Sequence, residues 1–79
     1  MAIYIQIVKA EEDASGVVYD FGPSEGLCGK VFVEKATGDV SLLQLDDPKR
    51  ETFYLSRVTR VLKRHYAAGT YPDKTCYAA

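Results

Sequence analysis

The sequence predicts an α+β fold in which an antiparallel four-stranded meander carries one C-terminal amphipathic helix packed on one sheet face, in the order ββββα. Before Pro48, apolar residues alternate with a period of two in short runs that turn residues separate. After Pro48, the period changes to about 3.6. One sheet and one helix bury both apolar surfaces within a single small domain, residues 1–79.

The first two strands come from alternation and residue type. Residues 3–8 place three isoleucines on one face and Tyr4 and Val8 on the other, which indicates a strand. Residues 17–21 are β-branched and aromatic, as strands favour. The glycines and proline of residues 22–26 then predict a loop.

The strand pattern returns at residues 27–35 and again at 40–45, with a tight hairpin turn at 36–39. The helix covers one face of this meander only. The other face is expected to carry a mixture of residues drawn, according to strand register, from Tyr4, Val8, Phe32, Leu43 and Leu45. An open apolar patch of this kind favours a partner or self-association.

The helix is predicted from about Pro48 or Lys49 to Ala68. At 100° per residue, one arc is apolar and contains Tyr54, Leu55, Val58, Val61, Leu62, His65 and Tyr66. The opposite arc is basic and contains Lys49, Arg50, Arg57, Arg60, Lys63 and Arg64. Asp46 or Asp47 suits the N-cap and Gly69 the C-terminal stop.

The charges are split along the chain. Residues 1–48 hold three lysines and nine carboxylates, a net charge of −6, whereas residues 49–79 hold seven cations and two carboxylates, a net charge of +5. The total of −1 therefore conceals a dipolar sequence. Such a split indicates either a surface for a charged partner or two halves that neutralise each other on folding.

The first functional hypothesis is a non-enzymatic interaction protein. Its uncovered sheet face, sheet edge or C-terminal tail would bind another protein or a second copy of the chain, with Tyr4, Val8, Tyr71 and Tyr77 as candidate binding residues. An immunity-type or antitoxin-like inhibitor is one concrete version. No apolar run is long enough to span a bilayer and no export signal precedes the first strand, so we expect a cytoplasmic protein with no membrane contact.

The alternative hypothesis is nucleic-acid binding through the basic helix arc, with Arg57, Arg60, Lys63 and Arg64 contacting phosphates. Exposed tyrosines would stack on bases. The net charge of −1 and an isoelectric point near 5.7 weigh against attraction of the whole molecule to nucleic acid.

No pattern in the sequence predicts catalysis, a cofactor or a metal site. His65 is the only histidine, and no recognisable motif surrounds the candidate nucleophiles Cys28, Cys76 and Ser56. One histidine and two distant cysteines lack the spacing of metal ligands. The two cysteines are expected to remain reduced thiols.

The C-terminal segment is the most distinctive part of the sequence. After the basic helix come Gly69, Tyr71-Pro72, Asp73, Lys74-Thr75 and Tyr77-Ala78. This ending, G-x-Y-P-x-K-T-x-Y-A, resembles that of small uncharacterised bacterial proteins with no established activity. The resemblance covers about the last quarter of the chain and implies a bacterial source. From the residues themselves, an aromatic tail that seals the edge of a small core is the favoured interpretation.

Overall fold

A computed structural model describes residues 3–79 and shows an α+β fold with five strands and one α-helix. The elements are β1 (Tyr4–Glu12), β2 (Gly16–Gly22), β3 (Gly29–Glu34), β4 (Val40–Leu45), a 3₁₀ turn (Pro48–Arg50), α1 (Glu51–Ala67) and β5 (Lys74–Ala78). The strand order is β4-β3-β2-β1-β5, and every neighbouring pair is antiparallel. The predicted fold class is confirmed.

The prediction of four strands is wrong, because the C-terminal tail forms a fifth. β5 lies beside β1, with Tyr77 opposite Ile5 and Thr75 opposite Ile7. The chain therefore leaves the sheet at the β4 edge, crosses one face as α1 and returns at the opposite edge. Five residues with lysine and alanine at their ends have little strand pattern of their own, so pairing with β1 decides their conformation.

The core lies between α1 and one face of the sheet. Its sheet side is built from alternate strand residues that are almost fully buried: Ile5, Ile7, Val17, Tyr19, Phe21, Val31 and Val33. Its helix side consists of Tyr54, Val58, Val61 and Leu62, all members of the predicted apolar arc. The two periodicities thus identify both halves of the core.

The two ends of the helix differ in how well the sequence predicts them. Asp47 caps the 3₁₀ turn, accepting a hydrogen bond from the Lys49 amide at 3.1 Å, but α1 itself begins only at Glu51. At the other end Gly69 has φ of 78°, and its amide donates to the Tyr66 carbonyl. The Thr70 amide donates to the His65 carbonyl. Together the two hydrogen bonds form the Schellman motif that ends the helix.

The face of the sheet opposite α1 carries part of the expected mixture. Tyr4, Val8 and Phe32 lie there, as the alternation predicts. Leu45 instead packs against the core, because the register of β3 and β4 shifts between Lys30 and Val31. Leu43 lies at this irregularity.

Within residues 3–79, no helix is both long and apolar enough to cross a membrane.

Candidate functional site

The four residues predicted to bind a protein do not share one surface. Tyr4, 46% exposed, and the half-buried Val8 lie on the open face of the sheet. Tyr77 lies on the helix-covered face, where it packs against the core. Tyr71 lies in the connection between α1 and β5. Only Tyr4 and Val8 therefore belong to one exposed surface.

The tail aromatics have structural contacts. The Tyr71 ring packs against the Tyr66 ring at 6.5 Å, and the Lys35 ammonium lies 5.2 Å from its centre. Next to it, the carbonyl of Pro72 accepts a 2.8 Å hydrogen bond from the Tyr19 hydroxyl. These contacts attach the tail to the core edge.

Tyr4 belongs to a groove of about 370 Å³ where β1, the β2–β3 loop and the start of α1 meet. We call it the aromatic groove; its walls are Ile3, Tyr4, Pro23, Glu25, Arg50, Phe53 and Tyr54. Its volume lies near the lower end of the range for ligand sites, roughly 300–1,000 Å³. Aromatic residues and arginine are the residue types that protein interfaces favour.

The walls of the aromatic groove are held by contacts beneath them. The Tyr54 ring packs against Phe21 with centroids 5.5 Å apart. Burial raises the pKa of Tyr54, and the neighbouring Cys28 thiol raises it further. The carbonyl of Pro23 accepts hydrogen bonds from the Gln6 side chain at 2.8 Å and from the Gly26 amide at 3.1 Å.

Arg50 places a cation over the aromatic rings. Its guanidinium lies 4.9 Å from the centre of the Phe53 ring and 5.5 Å from that of Tyr54. Within residues 3–79 no carboxylate approaches it closely enough to form an ion pair, Glu25 of the same groove included. The groove therefore offers a positioned cation that no carboxylate among residues 3–79 neutralises, and its guanidinium can bind another group.

A second hollow, of about 270 Å³, lies at the end of β3 beside Cys28. Three charged side chains line it: Lys30 and Asp20 form an ion pair with each other at 2.6 Å, and Asp46 is the third. Since the one cation of this hollow is already paired, it offers an anionic ligand less than the aromatic groove does.

The basic residues of α1 divide into two kinds. Arg57 is half-buried: it donates to the Phe53 carbonyl at 3.0 Å, and its guanidinium stacks 4.2 Å above the Phe53 ring. Arg60, Lys63 and Arg64 are exposed, as the predicted nucleic-acid surface requires. Of the four, the latter three are the most accessible to a phosphate.

The split of charge persists in the folded molecule. Among residues 3–79, a single contact, Lys63 to Asp39 at 4.0 Å, joins a cation of α1 to a carboxylate of the first 48 residues. The other ion pairs lie within the sheet and its loops or link the sheet to the tail. The helix cations therefore remain available to a partner.

The groups considered for catalysis do not converge. The Nε2 atom of His65 lies 3.1 Å from the Thr75 hydroxyl, a contact between α1 and β5, and neither residue lines a groove described above. Cys28 and Cys76 are both free thiols. Within the described chain no three histidine, cysteine or carboxylate side chains cluster in a way that could hold a metal ion.

No protein family, curated protein or solved structure matches the chain. The bacterial source implied by the tail therefore stays a prediction.

Sequence reasoning missed most of the aromatic groove. The sequence pattern places Arg50 on the basic arc and Pro23 in a loop, and it does not single out Phe53. One signal was present: Phe53 and Tyr54 are adjacent, so a helix that buries Tyr54 must turn Phe53 towards the edge of its apolar face.

Proposed function

We propose that this protein is a non-enzymatic protein-binding module that holds an extended segment of another protein in the aromatic groove. The observation that carries the proposal is the depression lined by Tyr4, Phe53 and Arg50, in which a guanidinium with no carboxylate partner among residues 3–79 lies over the Phe53 ring. Tyrosine, phenylalanine and arginine contribute large contact area at protein interfaces. The underlying contacts of Tyr54 and Pro23 keep these walls in place, which reduces the entropy cost of binding.

The chemistry of the groove defines the occupant. The rings and Pro23 would accept an aliphatic or proline side chain, because such groups lose apolar surface to water on binding. Arg50 would accept a carboxylate, which its planar guanidinium binds through two parallel hydrogen bonds. We therefore propose a segment in which an apolar residue is followed or preceded closely by aspartate or glutamate.

Selection from a random peptide library, followed by measurement of affinity by isothermal titration calorimetry, tests the proposal. Peptides selected on the protein should combine an apolar residue with a neighbouring acid. Tyr4→Ser and Arg50→Gln should each weaken the best peptide about tenfold or more, the scale of a lost hot-spot contact.

Leu43→Ser supplies the matched control, since Leu43 is another exposed apolar side chain, 55% exposed, on an edge strand away from the groove. It should leave the affinity unchanged. Failure to select any peptide, or equal loss of affinity in all three variants, would contradict the proposal. A partner that proves to be a toxin would support the immunity-type or antitoxin-like version; the cytoplasmic location remains an expectation.

Nucleic-acid binding is the second candidate, and the exposure of Arg60, Lys63 and Arg64 favours it. Affinity for a single-stranded or duplex oligonucleotide should then fall steeply with salt, because phosphate contacts release counterions. Replacing these three residues by glutamine should abolish it. Arg57→Gln is the control, since the Arg57 guanidinium is half-buried, stacks on the Phe53 ring and donates to the Phe53 carbonyl. Absence of binding at low salt would remove this candidate.

A further inference from the structure

The backbone of β5 is hydrogen-bonded on one side only. Ile3 and Ala79 exchange two backbone hydrogen bonds, of 2.8 and 3.0 Å, and the Lys9 amide donates to the Asp73 carbonyl at 2.8 Å. In an antiparallel ladder every second pair of opposite residues exchanges backbone hydrogen bonds. The amides and carbonyls of Thr75 and Tyr77 therefore also point towards β1. The amides and carbonyls between them, at residues 74, 76 and 78, point away from the sheet.

These outward groups have no hydrogen-bond partner within residues 3–79. The opposite edge of the sheet is less regular. There the pairing of β4 with β3 shifts in register between Lys30 and Val31, which interrupts the regular ladder of this edge strand. Bulged edges resist the addition of a strand, whereas a regular edge accepts one. The pairing of β5 with β1 shows no such shift.

We infer that the free edge of β5 pairs with β5 of a second copy of this chain, antiparallel and centred on Cys76. In this register Cys76 lies opposite Cys76 of the second copy, and Lys74 lies opposite Ala78. Every outward amide and carbonyl of the strand then has a partner. The result is a symmetric dimer with one continuous ten-stranded sheet.

The charges of the strand favour this register. Lys74 is the one charged side chain of β5, and it meets the small, neutral Ala78 of the second copy. A pairing centred on Lys74 would place two ammonium groups directly opposite each other, which is destabilising. A pairing centred on Ala78 would place no residue of β5 opposite Lys74 or Cys76. The register centred on Cys76 avoids both penalties.

The side chains on the helix-covered face also fit. Tyr77 would lie opposite Thr75 of the second copy, and both residues are half-buried in the monomer. An aromatic residue beside a β-branched one is a favourable cross-strand pair. Pairing would therefore add apolar contacts at the edge of the existing core as well as backbone hydrogen bonds.

Thiol cross-linking gives a direct test, because the two Cys76 residues would be about 5.5 Å apart between Cα atoms. The Cys28→Ser variant keeps Cys76 and should yield a covalent dimer with a short bismaleimide. Cys76→Ser keeps Cys28 and is the matched control, which should remain uncross-linked. Equal cross-linking of both variants, or none in either, would overturn the inference.

Sedimentation equilibrium provides a second readout. Cys76→Asp places two carboxylates opposite each other in the dimer while its side chain stays on the open face of the sheet in the monomer, so dimerisation should weaken about tenfold or more. Cys76→Ser should dimerise as the unmodified chain does. A chain that stays monomeric at millimolar concentration would overturn the inference.

Salt dependence separates strand pairing from a charge-driven contact. Hydrogen-bonded strand pairing should persist as salt is raised. Association that disappears with salt would indicate that the cations of α1 meet the acidic loops, and would also overturn the inference. Residues 74–78 line no part of the aromatic groove, so either site can fail without the other.

Discussion

Glu12 joins three parts of the chain through two lysines. It accepts hydrogen bonds from Lys9 at 2.6 Å and from Lys35 at 2.7 Å, and Lys9 also approaches Asp73 at 3.3 Å. The bond from Lys35, followed by that from Lys9, lowers the pKa of Glu12. The bond to Glu12 in turn raises the pKa of Lys9. The network links β1 to the residue that follows β3 and to the start of the tail.

Stability should therefore depend on pH through Glu12. A carboxyl whose pKa is lower in the folded state stabilises the fold above its ordinary pKa, and this contribution is lost as the pH falls through the folded value. Glu12→Gln should lower the free energy of unfolding at neutral pH, and the difference from the unmodified chain should vanish in strong acid. Urea denaturation followed by circular dichroism across a pH series measures both effects.

Glu11→Gln is the control, since Glu11 is an exposed neighbour that forms no ion pair with any residue of the described chain. It should change stability little at any pH. If the two substitutions change the stability equally, the effect would come from the net charge of the chain, and the ion pairs of Glu12 would contribute nothing. No sequence pattern predicts the network, because its four members are spread from residue 9 to residue 73.

Two glycines with positive φ end elements of the fold, and the sequence predicts both. Gly38, with φ of 80°, lies in the turn between β3 and β4, and Gly69, with φ of 78°, ends the helix. Their surroundings differ. A Cβ atom at Gly38 would lie 2.6 Å from the Tyr66 ring, whereas one at Gly69 would meet nothing within 4 Å. The packing of Tyr66 against the turn depends on how α1 crosses the sheet, which the local sequence does not encode.

This difference predicts unequal costs for the same substitution. Gly69→Ala should lower the free energy of unfolding by about 1–2 kcal/mol, the strain of a left-handed backbone. Gly38→Ala should lower the free energy of unfolding by about 1–3 kcal/mol more than Gly69→Ala does, because the Tyr66 ring must also move. That movement would disturb the hydrogen bond from the Tyr66 hydroxyl to the Lys35 carbonyl. Chemical denaturation of both variants gives the comparison. Equal losses of stability in the two variants would mean that the Tyr66 ring moves aside without an energetic penalty.

At the scale of the whole molecule, local pattern predicted the class of the fold and most of its core, but not its closure. Alternation identified the core faces of the first strands, and the helical period identified Val58 and Val61. The tail was recognised as folding back, yet its pairing with β1 is set by residues some 70 positions away. The aromatic groove is likewise assembled from segments distant in sequence, so its composition could not be read from any one of them.

The return of the chain as β5 should make the last residues essential to the fold. A chain that ends at Gly69 would leave the β1 backbone unpaired along one edge and would lose Tyr77, which packs against the core. Because a chain of 79 residues has a total stability of only roughly 4–12 kcal/mol, we expect this truncated chain to show no cooperative unfolding transition.

Adding a synthetic peptide of residues 70–79 should restore the circular dichroism of the full chain in a concentration-dependent way, because the peptide can pair with β1. A peptide with Tyr77 replaced by alanine should restore it less well, since it forms the same ladder without the aromatic contact. A truncated chain that unfolds cooperatively at nearly the same denaturant concentration as the full one would show that β1 is stable as an edge and that β5 is an accessory strand.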